Sequence, residues 1–201
     1  MKKLITLSAL SLLSVAALAE GKTETGINYN EVSVGYISQG VDNDGATDTF
    51  TGYGISGSFL ISDSVFLTGA YNSTNHTYDD LGKITLSGTK IGLGYRMPLS
   101  DTTDLNVLGS YTSYSANTSP AQSQTSYGAY VGVRSVALSP DLETSIFYGY
   151  GRKKDWYGVS SNVSSYMGGL KYAFMKNVTL NLDFTSQTKF TEYVLGVGYK
   201  F

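Results

Sequence analysis

Side chains of two kinds take turns along most of the chain, and this alternation restricts the fold more tightly than any other feature. In the stretch YVLGVGYKF, Tyr193, Leu195, Val197, Tyr199 and Phe201 occupy every second position, with Val194, Gly196, Gly198 and Lys200 between them. A period of two belongs to a β-strand that shows its two faces to different surroundings. The same alternation predicts ten strands. The first five are about 29–38 (Val32, Val34, Tyr36), 51–60 (Tyr53, Ile55, Phe59), 65–74 (Val65, Leu67, Tyr71), 85–97 (Ile91, Leu93, Tyr95, Met97) and 104–114 (Leu105, Val107, Tyr111). The second five are about 125–136 (Tyr127, Ala129, Val131, Val133), 142–151 (Leu142, Ile146, Tyr148, Tyr150), 164–174 (Tyr166, Leu170, Tyr172, Phe174), 178–188 (Val178, Leu180, Leu182, Phe184) and 191–201.

What each face carries decides the surroundings. None of the apolar positions just named is charged. The opposite face is small: Gly52, Gly54, Ser56, Ser58, Gly92, Gly94, Gly128, Gly132, Gly149, Gly151, Gly169, Ala173, Gly196 and Gly198. A soluble barrel puts a polar face in water, and such surfaces are about 25–35% charged. Here charged residues are 15% of the whole chain, so the apolar face is expected to look at lipid and the small face into a crowded lumen. Backbone polar groups survive in lipid without helices only when the sheet closes on itself. The expected fold is therefore all-β, a closed antiparallel up-and-down transmembrane barrel of ten strands, with eight as the alternative. Tyr36, Tyr71, Tyr95, Tyr150 and Tyr199, near strand ends, would form interfacial aromatic belts. The short connections ISDS, PLSDTT, ALSPD and MKN alternate with mostly longer ones, GVDNDGATDTF, NHTYDDLGK, ANTSPAQSQ and RKKDWYGVSSN, as periplasmic turns alternate with external loops. Pro98 and Pro140 are expected in short turns and Pro120 in a long loop, none of them interrupting a strand.

The first residues carry a different message. Lys2 and Lys3 precede a short apolar run that closes on Ala17-Leu18-Ala19, the pattern of a secretory signal peptide. The expected division is 1–19 signal and 20–201 barrel, about 180 residues and one domain. There is no cysteine, so neither a disulfide framework nor thiolate chemistry is available. A net charge of −2 offers nothing to nucleic acid.

With its signal-like start, its glycine–tyrosine alternation and the closing Tyr199-x-Phe201, the chain resembles the small outer-membrane β-barrel proteins of Gram-negative bacteria, the OmpX/Ail group and the OmpA membrane domain. Those relatives have eight strands. The resemblance implies a place in the outer membrane with loops outside and both termini in the periplasm, among outer-membrane lipid and lipopolysaccharide. It also implies that Tyr199 and Phe201 are read by the barrel-insertion machinery.

Motifs for chemistry are weak. Gly52–Gly57, GYGISG, matches a dinucleotide fingerprint in letters but is followed by no helix. Ser87–Lys90 and Ser186–Lys189 match S-x-x-K without its companion motifs. His76, the one histidine, stands near Asp79 and Asp80, the minimum for a loop-borne hydrolase or acyltransferase. Asp42, Asp44 and Asp48 fail the spacing of a calcium loop because Gly45 comes too early. No cofactor is expected. Arg152, Lys153 and Lys154, followed by Trp156 and Tyr157, form a candidate clamp for lipopolysaccharide phosphates. Glu31, Arg96, Asp104, Arg134, Glu143, Lys171 and Lys200 share the small-residue face near short-turn ends, and their mixed signs predict an ion-pair layer closing that mouth. A turn centred between Leu138 and Ser139 sets Arg134 directly opposite Glu143, one centred at Ser100 pairs Arg96 with Asp104, and closure brings Lys200 near Glu31.

The function expected from these features is non-enzymatic: a lipid-anchored frame whose exposed loops meet an extracellular ligand or host surface, for adhesion or envelope integrity. A narrow channel for ions or small solutes is the alternative, because glycine lining leaves space in a lumen wider than that of eight strands.

Overall fold

The computed structural model describes residues 23–43, 46–80, 82–118 and 122–201. The expected signal segment 1–19 lies outside them, as do Asp44 and Pro120. Ten antiparallel strands form one closed barrel in which each strand pairs with its sequence neighbours and β1 also pairs with β10. They are β1 (Glu31–Asn43), β2 (Ala46–Ser62), β3 (Val65–Tyr78), β4 (Gly82–Ser100), β5 (Thr103–Ala116), β6 (Gln122–Ser139), β7 (Leu142–Lys154), β8 (Ser160–Met175), β9 (Val178–Gln187) and β10 (Phe190–Lys200). Closure runs from Glu31↔Lys200 to Val41↔Phe190, so no backbone edge faces lipid over that length.

The outward face is the expected one. Val34, Leu93, Val107, Val131, Ile146, Leu170, Leu182 and Leu195 all lie on the exposed outer surface. Above them a belt of Tyr36, Tyr53, Tyr71, Tyr111, Tyr127, Tyr150, Tyr166 and Tyr193 encircles one end, where amphipathic rings sit at a membrane interface.

Three expectations need correction. The segments read as long loops are largely strand. β4 has 19 residues and β6 has 18, whereas β9 has 10. At about 3.4 Å per residue and a tilt near 40°, nineteen residues rise about twice the roughly 25 Å apolar band. Hence the upper ends of β2 to β6 continue beyond the tyrosine belt as a wall whose outward positions are polar (Thr49, Thr51, Ser73, Asn75, Thr85, Ser87, Ser113, Ser115). Pro98 is not in a turn but near the end of β4, beside a register shift between Pro98 and Ser100, an irregularity that tolerates a missing N–H. Tyr29 and Asn30 are not strand: β1 starts at Glu31.

The lumen face is small only in part. Phe66 pairs with Gly94, Tyr130 with Gly149, and Phe147 with Gly132. A Cβ on any of these three glycines would run into the ring opposite. Each glycine is thus the recess into which a large inward side chain from the next strand lies down, and the lumen fills rather than opens. This complementarity has a measurable consequence. Gly94→Ile should overpack the wall by about 1–3 kcal/mol. Adding Phe66→Ala should return part of that loss, a non-additive double mutant in urea titrations of protein refolded into lipid vesicles.

Candidate functional site

The short-turn mouth of the barrel is closed by charge and by the chain itself. Arg96 holds Asp104 through two bonds, Nε to Oδ2 at 2.9 Å and a terminal nitrogen to Oδ1 at 3.1 Å. Arg134 holds Glu143 Oε1 at 2.6 Å and 2.8 Å. Lys171 Nζ reaches Glu31 Oε2 at 3.0 Å across the lumen from β8 to β1. Glu31 Oε1 also accepts from Asn181 at 2.7 Å and from Thr179 at 3.3 Å, passing over β10 at Gly198, where a Cβ would block it. Asp104 is wholly buried and Glu31, Arg96, Arg134 and Glu143 nearly so.

Six of the seven residues expected in this layer therefore form three ion pairs. The seventh, Lys200, is directly opposite Glu31 as expected but joins none of the ion pairs found among the described residues. The registers differ from expectation. Arg134 is opposite Ser145, and Asp104 is opposite Pro98 rather than Arg96. Register shifts at the two turns displace each carboxylate by one step along its face, and the long arginine side chains bridge the diagonal.

Sequence reading missed the segment that fills the middle of this mouth. Thr23 to Asn30 fold inward, with Thr25, Ile27, Tyr29 and Asn30 almost completely buried. Tyr29 Oη lies 2.7 Å from Asn106 Oδ1 and 3.0 Å from Asp104 Oδ2. Its ring lies under the Arg134 guanidinium at 4.0 Å and against Phe66 at 4.9 Å. Arg134 also donates to the Asn28 carbonyl at 3.1 Å. Ser58 donates to the Tyr29 carbonyl, the Asn30 side chain accepts from Leu60 N–H, and Phe201 N–H reaches the Asn30 carbonyl. Ile27 and Tyr29 join Phe66, Leu108 and Val136 in one apolar cluster, with Leu60 and Tyr130 against it. The signal was present in GINYN, where Ile27 and Tyr29 alternate out of phase with the outward Val32, Val34 and Tyr36, but Tyr29 was absorbed into the first strand.

The opposite mouth is closed differently. Phe50, Leu86 and Ala116 are buried together with Val41, Tyr78, Ile84 and Trp156 against them. This divides the expected basic clamp. Trp156 packs over the lumen, Lys153 shares the inward parity of Gly151, and Arg152 and Lys154 point outward. Tyr157 is exposed on the turn, whose backbone is held by Asp155 Oδ1 accepting from Tyr157 and Val159 N–H. The His76 dyad is not assembled: its Nδ1 lies 2.8 Å from the Thr49 carbonyl and its ring packs on Tyr78. Asp48 accepts from Tyr78 Oη at 2.7 Å, and no cluster of metal-ligating side chains occurs among the described residues. Between the two closures, Thr74 donates to Gln39, and Gln39 to Glu192 at 2.6 Å. Lys90 meets the Tyr130 ring and Met167 sulfur there.

A family model described as outer membrane protein beta-barrel domain matches residues 5–201. The chain belongs to this family. Among solved structures, the outer membrane channel of Pseudomonas putida F1 aligns at 11% identity over 87% of this chain and 97% of its own, with a TM-score of 0.51. The beta domain of the Bordetella autotransporter BrkA aligns at 11% identity over 87% and 100%, TM-score 0.50. The attachment invasion locus protein of Yersinia pestis aligns at 14% over 86% and 99%, TM-score 0.44. These likenesses concern the fold alone. No curated protein matches the sequence.

The shared use of Arg134 makes its pair with Glu143 testable. Arg134→Ala should destabilise the refolded barrel by about 3–5 kcal/mol, since it strands a buried carboxylate. Glu143→Ala should cost less, because Asn28 and Tyr29 still hold the guanidinium. The double variant should lose less than the sum in urea titrations.

Proposed function

We propose that this outer-membrane barrel is a closed, non-enzymatic frame. Its long-strand wall stands outside the cell as a contact surface for an extracellular ligand or host surface, and both ends of the described chain lie on the periplasmic side. The carrying observation is the double closure of the lumen, with three ion pairs and the inserted Ile27–Tyr29 segment at one mouth and the Phe50–Leu86–Ala116 cluster at the other. A solute path would have to displace both. What remains to face the outside is the polar wall above the tyrosine belt, and surface positions on a rigid scaffold are where interactions evolve. His76 engages a backbone carbonyl instead of an acid, which supports the non-enzymatic reading.

In a planar bilayer the refolded protein is expected to show no steps of porin size. Tyr29→Ala with Arg134→Ala should introduce small steps, since it removes the centre of the lower closure. Porin-level conductance in the wild type would overturn the closed frame in favour of the channel reading.

Residues 1–19 are proposed as the cleaved export signal, and Tyr199 with Phe201 as the determinants read by the insertion machinery. Phe201 gives the barrel one backbone hydrogen bond, to Asn30, worth about 1 kcal/mol. Deleting Phe201 should therefore reduce the amount in the outer membrane severalfold while unfolding in vesicles shifts little. Unchanged amounts in outer-membrane fractions would refute the assembly role.

A further inference from the structure

The side chain of Tyr29 sits in a pocket whose groups belong to the barrel wall. Its hydroxyl points at two acceptors, Asn106 Oδ1 at 2.7 Å and Asp104 Oδ2 at 3.0 Å, both on β5 and both wholly buried. Its ring lies against the Arg134 guanidinium at 4.0 Å and the Phe66 ring at 4.9 Å. Leu108 and Val136 belong to the same apolar cluster. These groups select a flat apolar body with one neutral donor. The guanidinium attracts an aromatic face and repels a cation, and two acceptors at one end call for a hydroxyl.

The pocket is complete without its occupant. Asp104 is held by two bonds from Arg96, and Asn106 Nδ2 donates to the Asp104 carbonyl at 3.3 Å. Arg134 is held by Glu143. All these partners are in the wall, whereas the occupant comes from a segment outside it: residues 23–30 precede β1 and belong to none of the ten strands. Residues 23–27 also bond among themselves. Thr23 N–H donates to the Ile27 carbonyl at 3.1 Å, Thr23 Oγ1 to the same carbonyl at 3.0 Å, and Gly26 N–H to the Thr23 carbonyl at 3.0 Å. Gly26, with a φ of 77°, makes the turn. Glu24, the one charged residue of the segment, is exposed and 3.6 Å from Arg96. Withdrawal up to Asn30 would give up the Arg134 bond to the Asn28 carbonyl, the Ser58 bond to the Tyr29 carbonyl, and the burial of Ile27 and Tyr29. It would leave every buried charge with its partner, so the most costly kind of loss is absent.

We propose that the short-turn mouth holds a binding site for a small neutral phenol, with Tyr29 as its built-in occupant and segment 23–29 as a plug latched by that occupancy. A phenol entering at this mouth takes the place of the Tyr29 ring, donates to Asn106 and Asp104, and frees the plug. This goes beyond the closed frame, which requires only that the mouth be filled.

The probe is 4-methylphenol, the tyrosine side chain from Cβ outward. The first protein is the refolded full chain carrying Tyr29→Gly in detergent micelles. Calorimetric titration is expected to show one site per barrel, and the urea midpoint should rise and saturate. Toluene has the same ring and methyl group, enters micelles more readily and lacks the hydroxyl. It should bind at least tenfold more weakly, because it leaves buried acceptors unpaired. Asn106→Leu in the same background should reduce that preference severalfold. Equal binding of the two probes, or no saturable site, overturns the proposal. Exchange is read with Tyr29 intact. Ile27→Cys, at a wholly buried position and the sole cysteine of its chain, should react slowly with a maleimide. Its reaction should accelerate saturably with 4-methylphenol and not with toluene. Adding Tyr29→Phe should raise the rate without any phenol, a readout that does not need Tyr29→Gly to fold; an unchanged rate there overturns the latch. No acceleration by 4-methylphenol rejects displacement of the plug and with it the proposal. Acceleration by N-acetyltyrosinamide at lower concentrations than by 4-methylphenol overturns the small-phenol assignment in favour of a tyrosyl peptide.

Discussion

Every other feature of this protein depends on the pairing of β1 with β10. In hydrocarbon an unpaired backbone N–H or C=O costs several kcal/mol, so ten strands of alternating sequence cannot stay in lipid as an open sheet. The ladder from Glu31↔Lys200 to Val41↔Phe190 removes both edges at once. Closure then fixes which parity faces outward, and with it the chemistry each position must carry. It also brings Glu31 within reach of Thr179, Asn181 and Lys171, which come from strands far along the chain.

Closure creates a second problem, because a ten-stranded cylinder encloses more space than its wall alone fills. The solution is lateral. Large inward rings do not point along the barrel axis but lie on glycines of the adjacent strand, as Phe66 does on Gly94 and Tyr130 on Gly149. Glycine in a strand ordinarily weakens it, through backbone entropy and the loss of a packing side chain. Here the ring across the ladder restores that packing, and the wall gains thickness where the lumen must be filled. The same device serves charge at Gly198, whose missing Cβ lets Glu31 cross β10.

How far the sequence could be read follows from these rules. Strand number and facing were legible because lipid imposes a period-two pattern that nothing else in the chain imitates. The ion-pair residues were legible because charge is kept off the lipid-facing parity and these residues share the inward parity near the short turns. Register at the turns was not, since Arg134 and Asp104 are displaced by local shifts that depend on turn geometry. The long strands passed for loops because, above the tyrosine belt, the outward positions turn polar (Thr49, Thr51, Thr85, Ser87) while the apolar ones (Phe50, Ile84, Leu86) turn inward, so the alternation changes phase. Ile27 was missed and Tyr29 misplaced for a related reason: they alternate in the phase opposite to Val32, Val34 and Tyr36, as a segment buried inside the lumen instead of a rung of its wall.

The two mouths are closed by different physics, and the difference follows from their surroundings. At the short-turn end the closure is ionic and hydrogen-bonded: Tyr29, Arg96, Asp104, Asn106, Arg134 and Glu143 form one network in which each buried charge has an opposite partner, and Asp104 and Arg134 each have a neutral partner besides. Such a network is directional. It can hold a segment like 23–30 only in one position, and a buried charge left unpaired is costly enough to resist slippage. At the other end Phe50, Leu86, Ala116 and Trp156 make a non-directional apolar closure, which tolerates variation in the hairpins above it as long as water stays out. The two ends of the barrel thus differ in kind. The directional contacts sit at the short-turn mouth around segment 23–30, and the non-directional packing lies under the long hairpins.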